Sequence, residues 1–305
     1  MRAGGLKLFG ISFLLTAAVL APLILCTLLW VQHREEKADR VAQSQTGVAV
    51  QQPTIHHRYT LLVALADDTP AFVLANLDAT ADRLALAVIP AEGVVLAGQQ
   101  PVTLAESYKA AGPARVAQLL QSTLGVPIDA YLALTPASLA RALGQANHLR
   151  TGLTGALPTT RLEALGLDLT PADWTSETSH ALMYELQQCM GQNGLTGADV
   201  ARVRAQLWGA AVRQQLQLLP AALPDGLRQV SGATLTSLTA QDYYTLGETL
   251  EFLANRPVQP IAELLPGSWN AAAGRYEFSD DTLAYLQAYF SRSDSSSTLA
   301  ASSVP

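Results

Sequence analysis

An apolar run near the N-terminus constrains this chain more than any other feature. Residues 8–31 read LFGISFLLTAAVLAPLILCTLLWV, and these 24 residues carry no charged side chain. A helix that rises about 1.5 Å per residue over this length can cross a hydrocarbon core of about 30 Å. Because backbone groups inside a bilayer must be bonded within the helix, the run predicts a transmembrane helix with Trp30 at its interfacial end.

A cleaved signal peptide is the alternative interpretation of this run. Its apolar region would span about 7–15 residues and end at a small-residue cleavage site. The sequence LWVQHREEK, which closes the run, contains no such site. A retained membrane anchor is therefore favoured, although Lys and Arg flank both sides of the run and leave the side of the membrane undecided.

The rest of the chain divides by composition. Residues 32–54 are polar and predict a linker, residues 55–291 predict a folded domain, and the Ser-rich residues 292–305 predict a disordered tail. The net charge is −6 and no basic block occurs, which argues against a nucleic-acid partner. Cys189 is the single cysteine of the predicted domain, so no disulfide can form within it.

Apolar patterning predicts an α/β domain, with helices packed on a sheet. Three short apolar runs bounded by turn residues predict strands at Tyr59–Ala66, Ala71–Leu77 and Arg83–Ile89. Helices follow, at Ala114–Leu124, Thr178–Cys189 and Ser279–Phe290. Thr196 and Thr239 each precede an Asp by three residues, which predicts capping boxes that open two further helices.

Familiar catalytic motifs do not occur. The chain contains no Gly-rich phosphate loop after a strand, no H-E-x-x-H and no G-x-S-x-G. Asp67 and Asp68, at the end of the first predicted strand, could bind a hard cation through their oxygens or could form a turn before Thr69-Pro70. His180 is interpreted as a partly exposed helix residue rather than a base.

A series of fragments, in order along the chain, resembles the LytR-CpsA-Psr family of bacterial cell-envelope proteins. The fragments are VALAD, DTPAFVLANL, AVIPAE, LGVPIDAYLAL, LARALGQ, ALMYELQQ, GADVARVRAQ and LLPGSWNAAAGRYEFSDDTLAYL. Each fragment is weak alone, but their order and spacing cover nearly the whole predicted domain. The resemblance implies a central mixed β-sheet flanked by α-helices, preceded by one transmembrane helix.

The resemblance also implies a function. Family enzymes are taken to transfer a glycopolymer from a polyprenyl-pyrophosphate carrier to peptidoglycan, with arginines and a divalent cation such as Mg²⁺ around the pyrophosphate. The resemblance further implies a single-pass protein of the cell membrane, with residues 1–7 cytoplasmic and the domain extracytoplasmic. An apolar cavity between sheet and helices would take the lipid tail.

This sequence departs from the family where the arginines are expected. Ala91 and Glu92 stand at the Arg and Asp of the family's P-R-D, and the two arginines after A-L-x-Y fall in Glu185–Gln188. None of these side chains can donate a charged, bidentate fork. What remains consists of three groups of candidates. The metal candidates are Asp67 and Asp68, the phosphate candidates are Arg202, Arg204 and Gln206, and Asp199 marks the family's "D-x-x-R" position.

Three hypotheses follow. The first is a catalytically impaired family relative, a pseudoenzyme, that binds a polyprenyl-(pyro)phosphate lipid or polymer, or assists an active paralogue. The second is an active glycopolymer-to-peptidoglycan phosphotransferase that uses Arg202, Arg204 or Arg83. The third is an envelope protein-interaction module that binds no ligand. Both ligand-based hypotheses are weakened if Asp67 or Asp68, Arg202 and Arg204 do not converge on the mouth of one apolar cavity.

Overall fold

The computed structural model describes residues 52–167 and 171–291. The predicted membrane-spanning run at 8–31, most of the predicted linker and the tail at 292–305 lie outside the described residues. Within the described ranges, no helix has both the length and the apolar character that crossing a bilayer requires.

Twelve strands are found in the described residues. They are β1 (Arg58–Leu65), β2 (Ala71–Asp78), β3 (Arg83–Ile89), β4 (Val94–Ala97), β5 (Gln100–Thr103), β6 (Ala130–Leu134), β7 (Leu149–Thr151), β8 (Ala172–Trp174), β9 (Leu235–Thr236), β10 (Ile261–Leu264), β11 (Ser268–Asn270) and β12 (Arg275–Glu277).

A six-stranded mixed sheet lies at the centre of the domain, in the order β10-β3-β2-β1-β6-β9. The first three strands form an antiparallel meander. β6 runs parallel to β1, and β10 runs parallel to β3. The other six strands form three small two-stranded antiparallel sheets. The α/β class with a central mixed sheet is therefore confirmed, and the three predicted strands match β1, β2 and β3 to within one residue.

Eight α-helices accompany the strands in the described residues. They are α1 (Leu104–Leu124), α2 (Pro136–Leu143), α3 (Thr159–Ala164), α4 (Ser176–Gln188), α5 (Gly197–Gln215), α6 (Leu219–Gln229), α7 (Ala240–Ala254) and α8 (Asp280–Phe290). A threonine hydroxyl accepts a backbone N–H at the start of five of them, which fixes where each begins. These threonines are Thr103, Thr135, Thr175, Thr196 and Thr239.

The first helix is longer than the sequence predicts. α1 begins at Leu104 rather than Ala114, because Thr103 and Glu106 form a capping box. In this box the side chain of each residue accepts the backbone N–H of the other. Its helical backbone breaks at Gly112, where φ is 72°, immediately before Pro113. Only the second stretch of α1 carries the apolar stripe on which the prediction rested.

The sheet separates two apolar cores. Along β1, Leu61 and Val63 face one core, while Leu62 and Ala64 face the other, as the two-residue period of a strand requires. α5, α6 and α7 cover the first face, and α1 and α8 cover the second. The candidate site lies on the first face.

Candidate functional site

A cavity of about 210 Å³ separates the sheet from the helices on the first face. Side chains of β1, β2, β3 and β6 form its floor, and α2, α4, α5, α6 and α7 form its walls. The lining is predominantly leucine, as shown by Leu61, Leu86, Leu134, Leu139, Leu223 and Leu250. Apolar lining of this kind favours apolar ligands.

One part of the cavity lining is polar. β1 ends at Leu65, and the link to β2 places Asp67 and Thr69 in the lining. α4 contributes His180 and Gln187, which lie two turns apart on one face of that helix. α5 contributes Arg204. Polar groups from three separate elements therefore line a cavity whose floor on the sheet is apolar.

Asp67 and His180 contact each other at the solvent-exposed part of this lining. The distance from His180 Nε2 to Asp67 Oδ2 is 3.3 Å, and the two side chains are 32% and 28% exposed. Asp68 is exposed and does not line the cavity. Of the two predicted metal candidates, only Asp67 thus faces the site, and the turn between β1 and β2 accounts for Asp68.

Arg204 lies deeper and is nearly inaccessible, at 6% exposed. Its Nε–H is buried with no hydrogen-bond acceptor. Burial lowers the pKa of Arg204 to about 10, which the negative charges of Glu92 and Asp67 partly oppose. Buried polar groups are almost always hydrogen-bonded. An unsatisfied guanidinium N–H in an apolar cavity therefore indicates a place where a ligand or water accepts the bond.

Glu92 is the second carboxylate that acts on Arg204. Burial raises the pKa of Glu92, and its own backbone N–H and Arg204 partly offset that rise. Its carboxylate packs against Gly197, where a Cβ atom would collide with Glu92 Oε2. Gly197 is the first residue of α5, so the carboxylate lies at the positive end of the helix dipole. Ala91 is buried beside it and supplies no charge.

Arg202 and Gln206 do not share the cavity with Arg204. Residues two apart on a helix differ by about 200° in direction, since a turn takes about 3.6 residues. Both side chains line a separate hollow that also contains Arg213 and Glu263. Gln206 Nε2 donates to the carbonyls of Gly152 at 2.6 Å and Thr154 at 3.0 Å. The three predicted phosphate candidates thus lie at two places.

Asp199 is occupied by structural contacts. Its Oδ2 accepts from the N–H and hydroxyl of Thr196 and from Arg161 Nη1 at 2.9 Å. Its Oδ1 accepts from Arg202 Nη1 at 2.7 Å. The carboxylate is buried, at 4% exposed. Arg202 therefore serves to neutralise Asp199 and is not free to bind the cavity's contents.

The segment at which the family arginines would fall supplies no cation to the cavity. Of the four residues Glu185–Gln188, only Gln187 contributes to the lining. Leu186 is buried in a third apolar cluster, between α4 and α5. The described residues also contain no group of three or more His, Cys, Asp or Glu placed to hold a metal ion.

His180 was not among the predicted site residues. The signal that could have found it is the helical spacing of His180, Met183, Tyr184 and Gln187, which places all four on one face of α4. The sequence does not show that this face of α4 lies against Asp67, and only that contact identifies it as part of the site.

Solved structures with this fold are known. A LytR-Csp2A-Psr enzyme from Actinomyces oris matches with 16% identity and a TM-score of 0.55, over 79% of this chain and 93% of that one. TagT bound to LIIa-WTA matches with 13% identity and a TM-score of 0.56, over 78% and 93%. A transcriptional regulator from Enterococcus faecalis matches with 13% identity and a TM-score of 0.56, over 75% and 85%.

These likenesses define the class of the domain by its fold. No sequence-family model matches the chain, and no curated protein matches it. The domain has the LytR-CpsA-Psr fold, as the resemblance implied, and it carries an apolar cavity with a buried arginine. At 13–16% identity the fold is what the likeness shows.

Proposed function

We propose that the domain binds a polyprenyl-phosphate or polyprenyl-pyrophosphate lipid, or a polymer carried on one, during assembly of cell-wall glycopolymers. Catalysis in this proposal is impaired or absent. The observation that carries the proposal is Arg204, a buried guanidinium whose Nε–H lacks an acceptor and which lines an apolar cavity. A phosphate oxygen would satisfy that donor, and the apolar lining would take part of the prenyl chain.

The fold neighbours support the substrate class. TagT, which shares the fold, binds a wall teichoic acid ligand, and the enzyme from Actinomyces oris is itself described as LytR-Csp2A-Psr. We therefore propose glycopolymer or peptidoglycan as the setting and an active paralogue as a protein partner. The predicted anchor at 8–31 would hold the domain beside the membrane that contains such lipids, on its outer side.

Impaired catalysis follows from the charges that the cavity lacks. Transfer from a pyrophosphate needs several fixed donors aimed at the oxygens where charge develops, and loss of one such donor costs about 10²–10³ in rate. Ala91 and Gln187 stand where arginines are expected, and Arg202 is paired with Asp199. Arg204 alone can orient and bind a phosphate but leaves most of that charge unneutralised.

A working transferase is the second candidate, and the Asp67–His180 pair favours it. Mg²⁺ is commonly held by one or two carboxylates together with substrate phosphates, so Asp67 could hold it with the phosphates of the lipid. Such an ion would neutralise the charge of the leaving phosphate. The second nitrogen of His180 could accept the proton of an attacking hydroxyl.

Lipid extraction and mass spectrometry of the full chain, purified in mild detergent, test the proposal. We expect a polyprenyl phosphate or pyrophosphate to copurify with the wild type and to be depleted in Arg204→Met. Arg202→Met is the matched control, because it removes the same group from the opposite face of α5. Absence of any polyprenyl lipid, with no binding when it is added, would contradict the proposal and favour a protein-interaction module.

An assay of glycopolymer transfer with Mg²⁺ separates the two candidate functions. We expect turnover at least about 10²-fold below that of an active protein of the same fold. Turnover equal to that of the active protein would establish the transferase instead.

A further inference from the structure

The cavity is too small to enclose the whole tail of a polyprenyl lipid. Its volume is about 210 Å³, whereas an apolar cavity of about 150 Å³ holds one benzene ring of six carbons. By the same ratio this cavity holds about eight carbons, which is fewer than two five-carbon prenyl units. Most of a polyprenyl chain therefore lies outside the cavity, and the chain needs a way out of it.

The polar part of the lining is a poor exit for an apolar chain. Asp67, Gln187 and Arg204 line this part, and in the proposed function a phosphate occupies it. A chain that turned back past the phosphate would cover these polar groups without bonding them, which is unfavourable. The tail therefore has to leave the cavity elsewhere.

The lining has a second exposed part, and this part is apolar. Leu139 and Leu143 on α2, Val212 on α5 and Leu223 on α6 line the cavity and are partly exposed. The floor leucines face the same internal space and are at most 6% exposed, as in Leu61, Leu86 and Leu134. The internal space thus does not account for the exposure of the helix residues, which face the solvent outside.

The helices that carry these residues leave a gap between them. Within the described residues, α2 packs on α4 and α6, and α5 packs on α4, but α2 and α5 do not pack on each other. Gly226 ties α6 to α2 by its close approach to the backbone of Ala142. Gln215 ties α5 to the segment after α2 by donating to the carbonyl of His148. We call this gap, framed by Leu139, Leu143, Val212 and Leu223, the apolar opening.

The apolar opening lies along α5 from the buried arginine. Arg204, Trp208 and Val212 follow one another in steps of four residues and all line the cavity, so they share one face of the helix. At about 1.5 Å per residue, Val212 lies about 12 Å beyond Arg204. Two prenyl units contribute eight chain bonds of about 1.5 Å and span on the order of 10 Å when extended. The length and the volume of the cavity therefore both correspond to about two prenyl units.

We propose that the cavity is a passage for the lipid tail, in which a prenyl chain runs from the phosphate at Arg204 to the apolar opening and leaves the domain there. About the first two prenyl units lie inside, and the later units contact the frame of the opening and continue into a micelle or bilayer. This inference rests on the proposed function and names the route of the tail from the same site.

Two lipids with the same head test this route, namely geranyl phosphate with two prenyl units and undecaprenyl phosphate with eleven. Affinities would be measured on the full chain in detergent, by displacement of a fluorescent geranyl phosphate analogue. Leu139→Arg and Leu143→Arg each place a guanidinium in the opening, where it can remain in water. Because the long chain has to displace that water, we expect each variant to weaken undecaprenyl phosphate at least about tenfold and geranyl phosphate less than about twofold.

Leu218→Arg is the matched control for these variants. Leu218 is 46% exposed and does not line the cavity, so the same change there should leave both affinities unchanged.

Photocross-linking tests the route on the wild type, and it stands even if an arginine variant fails to fold. A polyprenyl phosphate with a diazirine on its fourth prenyl unit should label α2 or α6 beside the apolar opening. The same group on the first unit should label the floor, for example Leu61 or Leu134. Mass spectrometry of the digested protein locates the labelled residues.

The outcomes are distinguishable. Equal losses for the two lipids in the opening variants, or no loss for either, overturn the passage and leave the proposed function intact. Labelling of the floor by the distal diazirine does the same. Failure of both lipids to bind the wild type removes the proposed function and this inference together.

Discussion

At the scale of the residue, Arg204 is a buried cation whose Nε–H lacks an acceptor in the protein. A buried charge is costly unless its hydrogen bonds are satisfied, and replacement of buried charged groups by apolar ones often stabilises a protein by about 1–4 kcal/mol. We therefore expect Arg204→Met to raise the free energy of unfolding by an amount in this range while weakening lipid binding. Urea denaturation and lipid displacement on the same preparations measure the two effects.

Arg202→Met is the control for this prediction. Its guanidinium is half exposed and bonded to Asp199, which keeps its bonds to Arg161 and Thr196 when Arg202 is lost. We expect its loss to lower the free energy of unfolding by about 1 kcal/mol and to leave lipid affinity unchanged. A loss of stability in Arg204→Met equal to or larger than this would show that Arg204 is a structural residue.

The same residue predicts a dependence on pH. Burial lowers the pKa of Arg204 from 12.5 to about 10, so between these values the unfolded chain holds more protons than the folded one. Stability due to this group therefore rises with pH in that range, and its penalty is complete below pH 10. We expect the stability advantage of Arg204→Met over the wild type to be smaller at pH 11 than at pH 8.

Urea denaturation of both proteins at the two pH values measures this difference. Burial raises the pKa of Tyr276 to about 12, so Tyr276 also contributes to the pH dependence of stability. This contribution is the same in both proteins and does not affect the difference between them. An advantage that grows with pH would mean that Arg204 is not the buried cation responsible.

The composition of the site was only partly predictable from the sequence. Asp67 and Arg204 were both named as candidates and line one cavity. The resemblance treats GADVARVRAQ as one motif, whereas a helix directs Arg204 away from Arg202 and Gln206. Helical geometry alone shows that these residues diverge, but which face is buried depends on the sheet that α5 covers.

At the scale of the element, the start of α5 depends on one buried carboxylate. Asp199 caps the helix with Thr196 and binds two arginines. Asn is uncharged and cannot neutralise the two arginines. We therefore expect Asp199→Asn to lower the free energy of unfolding by about 2–4 kcal/mol, measured by urea denaturation. Glu106 is the equivalent residue in the solvent-exposed capping box of α1, and Glu106→Gln should lower the free energy of unfolding by less than about 1 kcal/mol. Equal losses in both variants would contradict the role given to the arginines.

The crossing of α2 and α6 depends on a glycine. A Cβ atom on Gly226 would collide with the backbone carbonyl of Ala142, and backbone cannot move aside as a side chain can. We expect Gly226→Ala to lower the free energy of unfolding by about 1–3 kcal/mol, as overpacked sites do, in thermal or urea denaturation. Gly232, next to α6, has open space around it, so Gly232→Ala should be neutral. Tolerance of both changes would mean that the two helices separate easily.

Elements with a local signal were predictable from the sequence. Thr196 and Thr239 open α5 and α7 through the predicted capping boxes, because this device involves only four consecutive residues. The two-stranded sheets of β4 with β5 and of β7 with β8 were not predicted. Their strands have three or four residues, of which only Val95 is buried, so they carry little periodic signal.

At the scale of the whole molecule, the two faces of the sheet differ in how completely they are packed. The face toward α1 and α8 buries Leu62, Phe72 and Leu74 with no measurable exposure. The opposite face is lined by equally apolar residues but leaves the cavity. The sequence patterns of the two faces are alike, since both are leucine-rich. Whether a cavity forms depends on the distance between the helices and the sheet. A local sequence pattern does not predict that distance.

Two neighbouring leucines of β1 test this difference between the faces. Leu62 lies in the closed core and Leu61 lines the cavity. We expect Leu62→Ala to lower the free energy of unfolding by about 2–5 kcal/mol and to leave lipid affinity unchanged. Leu61→Ala removes apolar surface from the prenyl chain and should weaken binding about fivefold. Because a bound ligand stabilises the folded state in proportion to the logarithm of its affinity, denaturation with and without polyprenyl lipid measures both effects. An equal loss of lipid-induced stabilisation in the two variants would place the lipid outside the cavity.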